Sequence, residues 1–503
     1  MVTHTRQRGF SLFIICLFTI VNYSLKFTEG IRVSDGAVKL ELIHRHHLQG
    51  ERRNVAAQPL ERLRQLVHSD AVRLRGISLK VMLIQGGAGP VRRRVSETDD
   101  AFIPASTNGG GGGGSNNKEQ FSNVSGQLPI SSGADFGTGQ YFVQFRVGSP
   151  AQKVVLIADT GSDLTWMNCK YRCRGGGGGG CRRNSNKRRL FWADRSSSFR
   201  TVPCSSTTCT NDLANLFSLT RCPSPISPCA YDYRYSDGSA AQGLFGNETV
   251  TLSLTNGRKT RLHNVLIGCS ISSSGPTFQS ADGVIGLGYS NYSLAVKASN
   301  LFRGIFSYCL VDHLSPKNIS SYLTFGSAKQ QTDTMHYTAL ILDVINPFYA
   351  VSMNGISIGG SMLDIPAEVW DVKGSGGVIL DSGTSLTSLV GPAYRPVMAA
   401  LTASLSGFEK LGLDVGPLEY CFNSTGFVES VVPRLVFHFG DGARFEPPVK
   451  SYVIDAAPGV KCLGFVGGAW PGVSVVGNIM QQNYFWEFDL VNKRLGFGSS
   501  SCK

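Results

Sequence analysis

Charge is scarce in this sequence, long apolar runs are missing, and cysteine is absent from most of its first third. Only 17% of the 503 residues are charged against 42% hydrophobic, a balance that reads as globular and, at this length, as two lobes with extras. The apolar run at residues 10–21 falls short of the roughly 20 residues needed to span a bilayer. Arg6 and Arg8 precede it, so it reads as a secretory signal peptide, expected over residues 1–30. No later stretch is long and apolar enough to span, so no membrane segment is expected once the signal is removed. There is no His-Glu-X-X-His, which argues against a zinc hydrolase. No second cysteine pair at ribbon or finger spacing follows Cys169 and Cys173, so no metal site and no cofactor are expected.

What cysteine there is carries its own message. Of 13 cysteines, Cys16 lies in the signal run and the other 12 all fall after residue 168. An even, crowded set of this kind points to disulfides formed in an oxidising compartment. Asn123, Asn247, Asn291, Asn318 and Asn423 begin Asn-X-Ser/Thr sequons and are candidate glycosylation sites in the same compartment. The net charge of +13 is unevenly placed. Residues 1–125 hold 17 Lys and Arg against 10 Asp and Glu, and seven more bases fall between Arg172 and Arg189. The remainder is close to neutral, nothing resembles a nucleic-acid module, and no nucleic-acid partner is expected.

Residues 31–125 are polar and basic and close on the glycine run 109–114, a flexible linker by composition. Within them Leu60, Leu63, Val67, Ala71 and Leu74 recur at helical spacing with arginines between, which predicts an amphipathic helix in need of a partner surface. From Gly139 the texture changes to short β-branched and aromatic runs separated by Gly, Asn, Asp and Ser. Strands are expected at 141–147, 154–158, 249–254, 265–268, 322–325, 349–353, 378–380, 434–439 and 485–490, with a short helix at 392–404. The fold class is all-β with minor helix.

An internal repeat organises this β region. One apolar strand runs into Asp159-Thr160-Gly161-Ser162 and another into Asp381-Ser382-Gly383-Thr384, and each is followed much later by an apolar pair closing on glycine, at Gly286 and Gly477. By chance such an Asp-Ser/Thr-Gly-Ser/Thr tetrapeptide would occur about 0.03 times in a chain of this length. A duplicated lobe with one carboxylate each is the economical explanation, with the boundary near residues 335–345. Two carboxyl groups sharing a proton supply both a base toward water and an acid toward a leaving amine, the two needs of peptide hydrolysis. Glycines 161 and 383 are expected to let the chain turn beside each aspartate and to leave room for the facing lobe. Thr160 and Ser382 are placed to bond across the pair, and Ser162 and Thr384 to orient the outer carboxylate oxygens.

These residues, with Asp159 to Trp166, Tyr235-Ser236-Asp237-Gly238-Ser239, Ala281 to Gly288 and Ile379 to Ser385, resemble the pepsin-like aspartic proteases, and among them the cysteine-rich plant branch typified by nepenthesin. The likeness spans residues 139–502. It implies a bilobed pepsin-like acid protease fold, with an N-terminal lobe at 126–338 and a C-terminal lobe at 339–503. It also implies an endopeptidase made as a secreted zymogen, acting as a monomer on protein or peptide substrates, with Asp159 and Asp381 catalytic. Tyr235 would be the flap tyrosine closing over substrate and Trp166 the tryptophan bracing its hydroxyl. The crowded early cysteines would form the insertion typical of the branch, and Cys421 would pair with Cys462. Ser236 stands where the family usually has glycine, and the Gly-rich basic stretch 175–189 interrupts the cysteine-rich loop. The compartment implied is extracellular or vacuolar, with plastids as the alternative. A non-catalytic relative, of the kind that inhibits glycanases, is the rival function. The helix of the leader is expected to cover the cleft at neutral pH and to leave as carboxylates protonate, with His44, His46, His47 and His68 adding positive charge.

Overall fold

The computed structural model describes residues 38–39, 59–85, 129–132, 140–171, 190–217, 219–220, 222–235, 238–254, 256–275, 278, 281–312, 321–326 and 334–502. The expected signal peptide, the glycine run 109–114, the basic loop 172–189 and Ser236 lie outside these residues, as do Asn123, Asn318, His44, His46 and His47.

The architecture is mostly β-sheet in two lobes of like construction, and the likeness reaches the register. In the first lobe strand Gln152–Asp159 runs parallel to Gly283–Gly286, with Asp159 opposite Gly286. In the second, strand Val378–Asp381 runs parallel to Ser474–Gly477, with Asp381 opposite Gly477. Each glycine-ending strand also lies antiparallel to the strand that follows the aspartate loop, Trp166–Lys170 in one lobe and Thr387–Val390 in the other. Both aspartates therefore leave their strands at equivalent points. Side chains on these strands are buried on both faces, which is why they read as continuous apolar runs rather than alternating ones.

A sheet shared by both halves joins the lobes. Its order is Pro129–Ser132, Ser321–Phe325, Ile305–Cys309, Tyr484–Asp489, Arg494–Ser499 and His336–Ile341, every neighbour antiparallel. Phe306 from the first half stacks on Phe488 from the second, ring centroids 4.6 Å apart. Cys309 is joined to Cys502 across the same sheet. The strand expected at 265–268 is far longer, Lys259–Ser274, because it continues as a hairpin with Ala240–Leu254 whose ladder holds polar residues well past the core.

Residues 59–85 form a helix, Pro59–Gln85, longer than the five apolar positions of the sequence pattern indicate. Pro59 suits a first turn, where its missing N–H has no partner to lose, and Glu61 complements the positive end. Leu63, Val67, Leu74, Ile77 and Val81 make one buried stripe at spacings of three, four and seven. They pack into the second lobe against Phe348, Val372, Leu386, Val415, Ile454 and Val473. Upstream, Val38–Lys39 pairs with Ser253 and Leu254 on one side, and Val38 with Phe325 on the other, as a short strand added between two of the first lobe. No helix among the described residues is long and apolar enough to cross a membrane.

Truncating the inter-lobe stack tests this architecture. Phe306→Ala is expected to cost about 3–5 kcal/mol of stability, read from denaturant unfolding, since Phe306 is fully buried against the other half. A loss below about 1 kcal/mol would mean that the shared sheet is not a common core.

Candidate functional site

The two aspartate loops meet where the lobes meet, and reciprocal hydrogen bonds tie them. Thr160 donates its backbone N–H to Ser382 Oγ at 3.1 Å, and Ser382 donates its N–H to Thr160 Oγ1 at 2.9 Å. Ser382 Oγ in turn donates to the Ala158 carbonyl at 3.0 Å. Within each loop the carboxylate is held the same way. Gly161 N–H donates to Asp159 Oδ1 at 3.0 Å and Gly383 N–H to Asp381 Oδ1 at 2.8 Å. On the outer side Ser162 Oγ donates to Asp159 Oδ2 at 2.7 Å and Thr384 Oγ1 to Asp381 Oδ2 at 2.6 Å. The glycines serve closeness rather than an unusual backbone, since neither has a positive φ. A Cβ on Gly161 would stand 2.8 Å from Asp381 Oδ1, and one on Gly383 would overlap Asp159 Oδ1.

Into this pair reaches Arg73 from the helix Pro59–Gln85. Its Nη2 lies 2.6 Å from Asp159 Oδ1 and 2.9 Å from Asp381 Oδ2, while its Nε donates to Asp381 Oδ2 at 3.0 Å and to Thr384 Oγ1 at 2.9 Å. The guanidinium side chain is 11% exposed and the carboxylates 2% and 0%. One turn earlier, Asp70 Oδ2 accepts the backbone N–H of Ser385 at 2.9 Å and of Leu386 at 2.6 Å. Further contacts pin the helix along its length: Arg64 Nε donates to the Asp414 carbonyl at 2.7 Å, and Gln85 Nε2 to the Val372 carbonyl at 3.0 Å.

The electrostatics of the two aspartates are unequal. Burial pushes Asp159 up, but the Arg73 charge and hydrogen bond, with those of Ser162 and Gly161, outweigh it and hold the carboxyl below the usual range. Burial also raises Asp381, and there Arg73, Thr384 and Gly383 do not overcome it, because the neighbouring Asp159 charge adds to the rise. In this closed arrangement Asp159 is the anion, and Asp381 takes a proton more readily.

Across the cleft, Trp166 donates its indole N–H to the Tyr235 hydroxyl at 2.5 Å. Tyr235 directly follows strand Ala230–Arg234, and its N–H donates to the Ser239 carbonyl to close a hairpin whose Gly238 has φ +79°. Between helix and hairpin lies a cavity of about 300 Å³, lined among others by Ile77, Lys80, Asp159, Ser162 and Tyr235. The helix thus fills the side of the cleft belonging to the second lobe and leaves space under Tyr235.

Elsewhere, Cys421 and Cys462 are cross-strand neighbours joined by a disulfide. Cys169 joins Cys269, Cys204 joins Cys222 and Cys209 joins Cys229. Asn291 is exposed in a turn, whereas Asn247 is half-buried within strand Ala240–Leu254, and Asn423 accepts from Thr425 N–H and Oγ1. A Gly-X-Ser-X-Gly run at Gly355–Gly359 is no nucleophile turn: Ser357 is buried inside strand Met353–Ile358, facing His438 Nε2 at 2.7 Å. Sequence reasoning missed Asp70 and Arg73. A signal for Asp70 was available, because it occupies a position on the apolar stripe between Val67 and Leu74 where only a specific partner would tolerate an acid.

Residues 141–327 match a family model described as xylanase inhibitor N-terminal, and residues 348–499 one described as xylanase inhibitor C-terminal. Over 378 residues the chain is 33% identical to aspartyl protease family protein 2 of Arabidopsis thaliana, covering 74% of this chain and 73% of that one. Over 384 residues it is 31% identical to aspartic proteinase nepenthesin-1 of Nepenthes gracilis, covering 75% and 82%. Among solved structures, basic 7S globulin from soybean superposes with a TM-score of 0.57 at 21% identity, covering 75% of this chain and 96% of that one. Conglutin gamma, a basic 7S globulin from lupine seeds, gives 0.58 at 19%, covering 75% and 95%. At such identities the likeness speaks for the fold.

Because a Cβ at residue 383 has no room beside Asp159, Gly383→Ala is expected to lower stability by about 1–3 kcal/mol. Thermal melts of the full chain check this, and an unchanged melting temperature would mean that the loops are less tightly opposed.

Proposed function

The chain belongs to the pepsin-like aspartic protease family, and on that premise we propose that it is an aspartic endopeptidase made as a secreted zymogen. The observation that carries the reading is the pair Asp159 and Asp381, set at equivalent strand ends, mutually oriented by hydroxyl and glycine neighbours, and capped by a cation from the preceding segment. Residues 1–30 are a signal peptide, residues 31–125 the prosegment, and 126–338 and 339–503 the two lobes. Five disulfides among the described residues support passage through the secretory route, toward an extracellular or vacuolar destination, with plastids the alternative. The molecule acts as a monomer on protein or peptide substrates.

In this mechanism the helix Pro59–Gln85 leaves, and water takes the place of the Arg73 guanidinium between the carboxyls. Deprived of the cation, two facing carboxyls retain one proton between them. The ionised one removes a proton from water as it attacks the peptide carbonyl, and the protonated one donates to the carbonyl oxygen. A tetrahedral diol forms without an acyl-enzyme. Its collapse returns a proton to the leaving amine. Ser162 and Thr384 keep the outer oxygens satisfied so that the inner ones face the water. Tyr235, braced by Trp166, closes over the bound peptide and excludes solvent.

A second reading, a non-catalytic binding protein, is favoured by the family models' description as xylanase inhibitor halves. Asp381→Asn separates the two. The protease reading expects the variant to lose about 10²–10⁴-fold in peptide hydrolysis at acidic pH, whereas a binding protein would show no hydrolysis in either form.

The cap has its own test. Removing one partner of a buried charge cluster costs about 3–5 kcal/mol, so Arg73→Met is expected to raise the exposure of the helix to limited proteolysis by orders of magnitude. An unchanged cutting rate would mean that the helix does not depend on the aspartates.

A further inference from the structure

The Arg73 cluster is one of two buried anchors of the helix that involve carboxyl groups, and the other has the opposite relation to protons. Asp70 is 4% exposed and sits on the apolar stripe. One of its oxygens accepts two backbone N–H groups, those of Ser385 and Leu386. The charged groups that face it are Arg73 from its own helix and Asp381 from the loop beneath. Arg73 spends its hydrogen bonds on Asp159, Asp381 and Thr384, and no ion pair among the described residues includes Asp70.

A carboxylate moved out of water without a paired cation is costly, and the cheaper course is to take up a proton. Two N–H donors on one oxygen do not prevent this, since the carbonyl oxygen of a neutral carboxyl accepts both. We propose that Asp70 is a proton-uptake latch: the closed form is tightest in weakly acidic solution, so that acidification from neutrality first closes the cleft and only stronger acid opens it.

Burial, opposed by the Leu386 and Ser385 N–H groups and the Arg73 charge and assisted by the Asp381 charge, pushes the docked Asp70 carboxyl up to about 7. A solvent-exposed aspartate titrates near 3.9. A group whose docked value lies above its free value favours docking fully below the free value and loses that contribution as pH rises through the docked one. Descending from about pH 7 toward pH 4, Asp70 therefore strengthens docking. Asp159 has the reverse sign. Its docked carboxyl is held below the usual range, so its contribution is present above that range and is lost as pH falls through the docked value. This differs from the simple expectation that protonating carboxylates releases the helix. Between about pH 7 and pH 4 Asp70 gains while Asp159 keeps its contribution, and release waits for Asp159 at lower pH.

The inference rests on reading the helix as the covering segment of a protease, yet docking can be measured without any cleavage. Hydrogen–deuterium exchange of the full chain, with intact mass checked in each sample and rates corrected for intrinsic exchange, reports the opening constant of residues 59–85. The expected result is a fall in that constant as pH drops from 7 to 5, severalfold and at most tenfold per unit for one coupled proton. Asp70→Asn is expected to flatten the slope. His68 lies exposed on the outer face of the same helix and serves as the control, and His68→Gln is expected to keep the slope. An opening constant that rises steadily from pH 7.5 to pH 5, a slope retained by Asp70→Asn, or a slope abolished by His68→Gln would each overturn the latch. Where Asp70→Asn docks too weakly to follow, the wild-type slope and the His68→Gln control decide. A failed peptide-cleavage assay tells against the protease reading and leaves this result standing.

Discussion

Two carboxyl groups pressed together inside a protein cannot both carry charge unless a cation sits between them, and the rest of this structure is arranged around that constraint. The lobes repeat one motif so that each delivers an aspartate from the end of a parallel strand pair. Thr160 and Ser382 lock the loops face to face, and the glycines beside the aspartates are the only residues that fit at that distance. Nothing in the two loops neutralises the pair. Neutralisation is supplied from outside, by Arg73, or from solution, by a shared proton. The same geometry therefore accounts for a closed state at one extreme and, in the proposed function, for an acid–base pair at the other.

The helix is complementary to the cleft in two different currencies. Its apolar stripe joins the hydrophobic core of the second lobe, so docking has a driving force that pH does not touch. Its polar anchors are titratable on the protein side, on the helix side, or both. Under Tyr235 the helix makes no comparable apolar seal, and a cavity remains beside Asp159 and Ser162. Closure is thus lopsided, firm against the second lobe and loose against the hairpin of the first, which leaves the hairpin free to keep its Trp166–Tyr235 contact in the closed form.

Much of this was legible in the sequence because the signals are local. An apolar strand running into Asp-Thr-Gly-Ser or Asp-Ser-Gly-Thr declares both the strand and the loop, and strands Tyr141–Val147 and Val378–Asp381 fall where the pattern puts them. Leu63, Val67 and Leu74 announced a helix seeking a surface. What stayed hidden depends on partners distant in sequence. Lys259–Arg261 and Ser270–Ser274 look like loop by composition, and only the ladder of the facing strand makes them strand. Cys169 pairs with Cys269 across 100 residues rather than with a near neighbour, because parallel strands bring the two together. Arg73 looked like any other arginine of a basic leader. Its role emerges only once the second aspartate, 308 residues away, is in place.

The central claim is that the helix and a bound peptide compete for the same pair of carboxyls. It is tested most directly by measuring the affinity of the full chain for pepstatin in wild type and in Arg73→Ala at one fixed weakly acidic pH, where the helix is docked. The prediction is that the variant binds at least tenfold more tightly, because the guanidinium no longer occupies the site. Equal affinities, or no binding by either form, would contradict it.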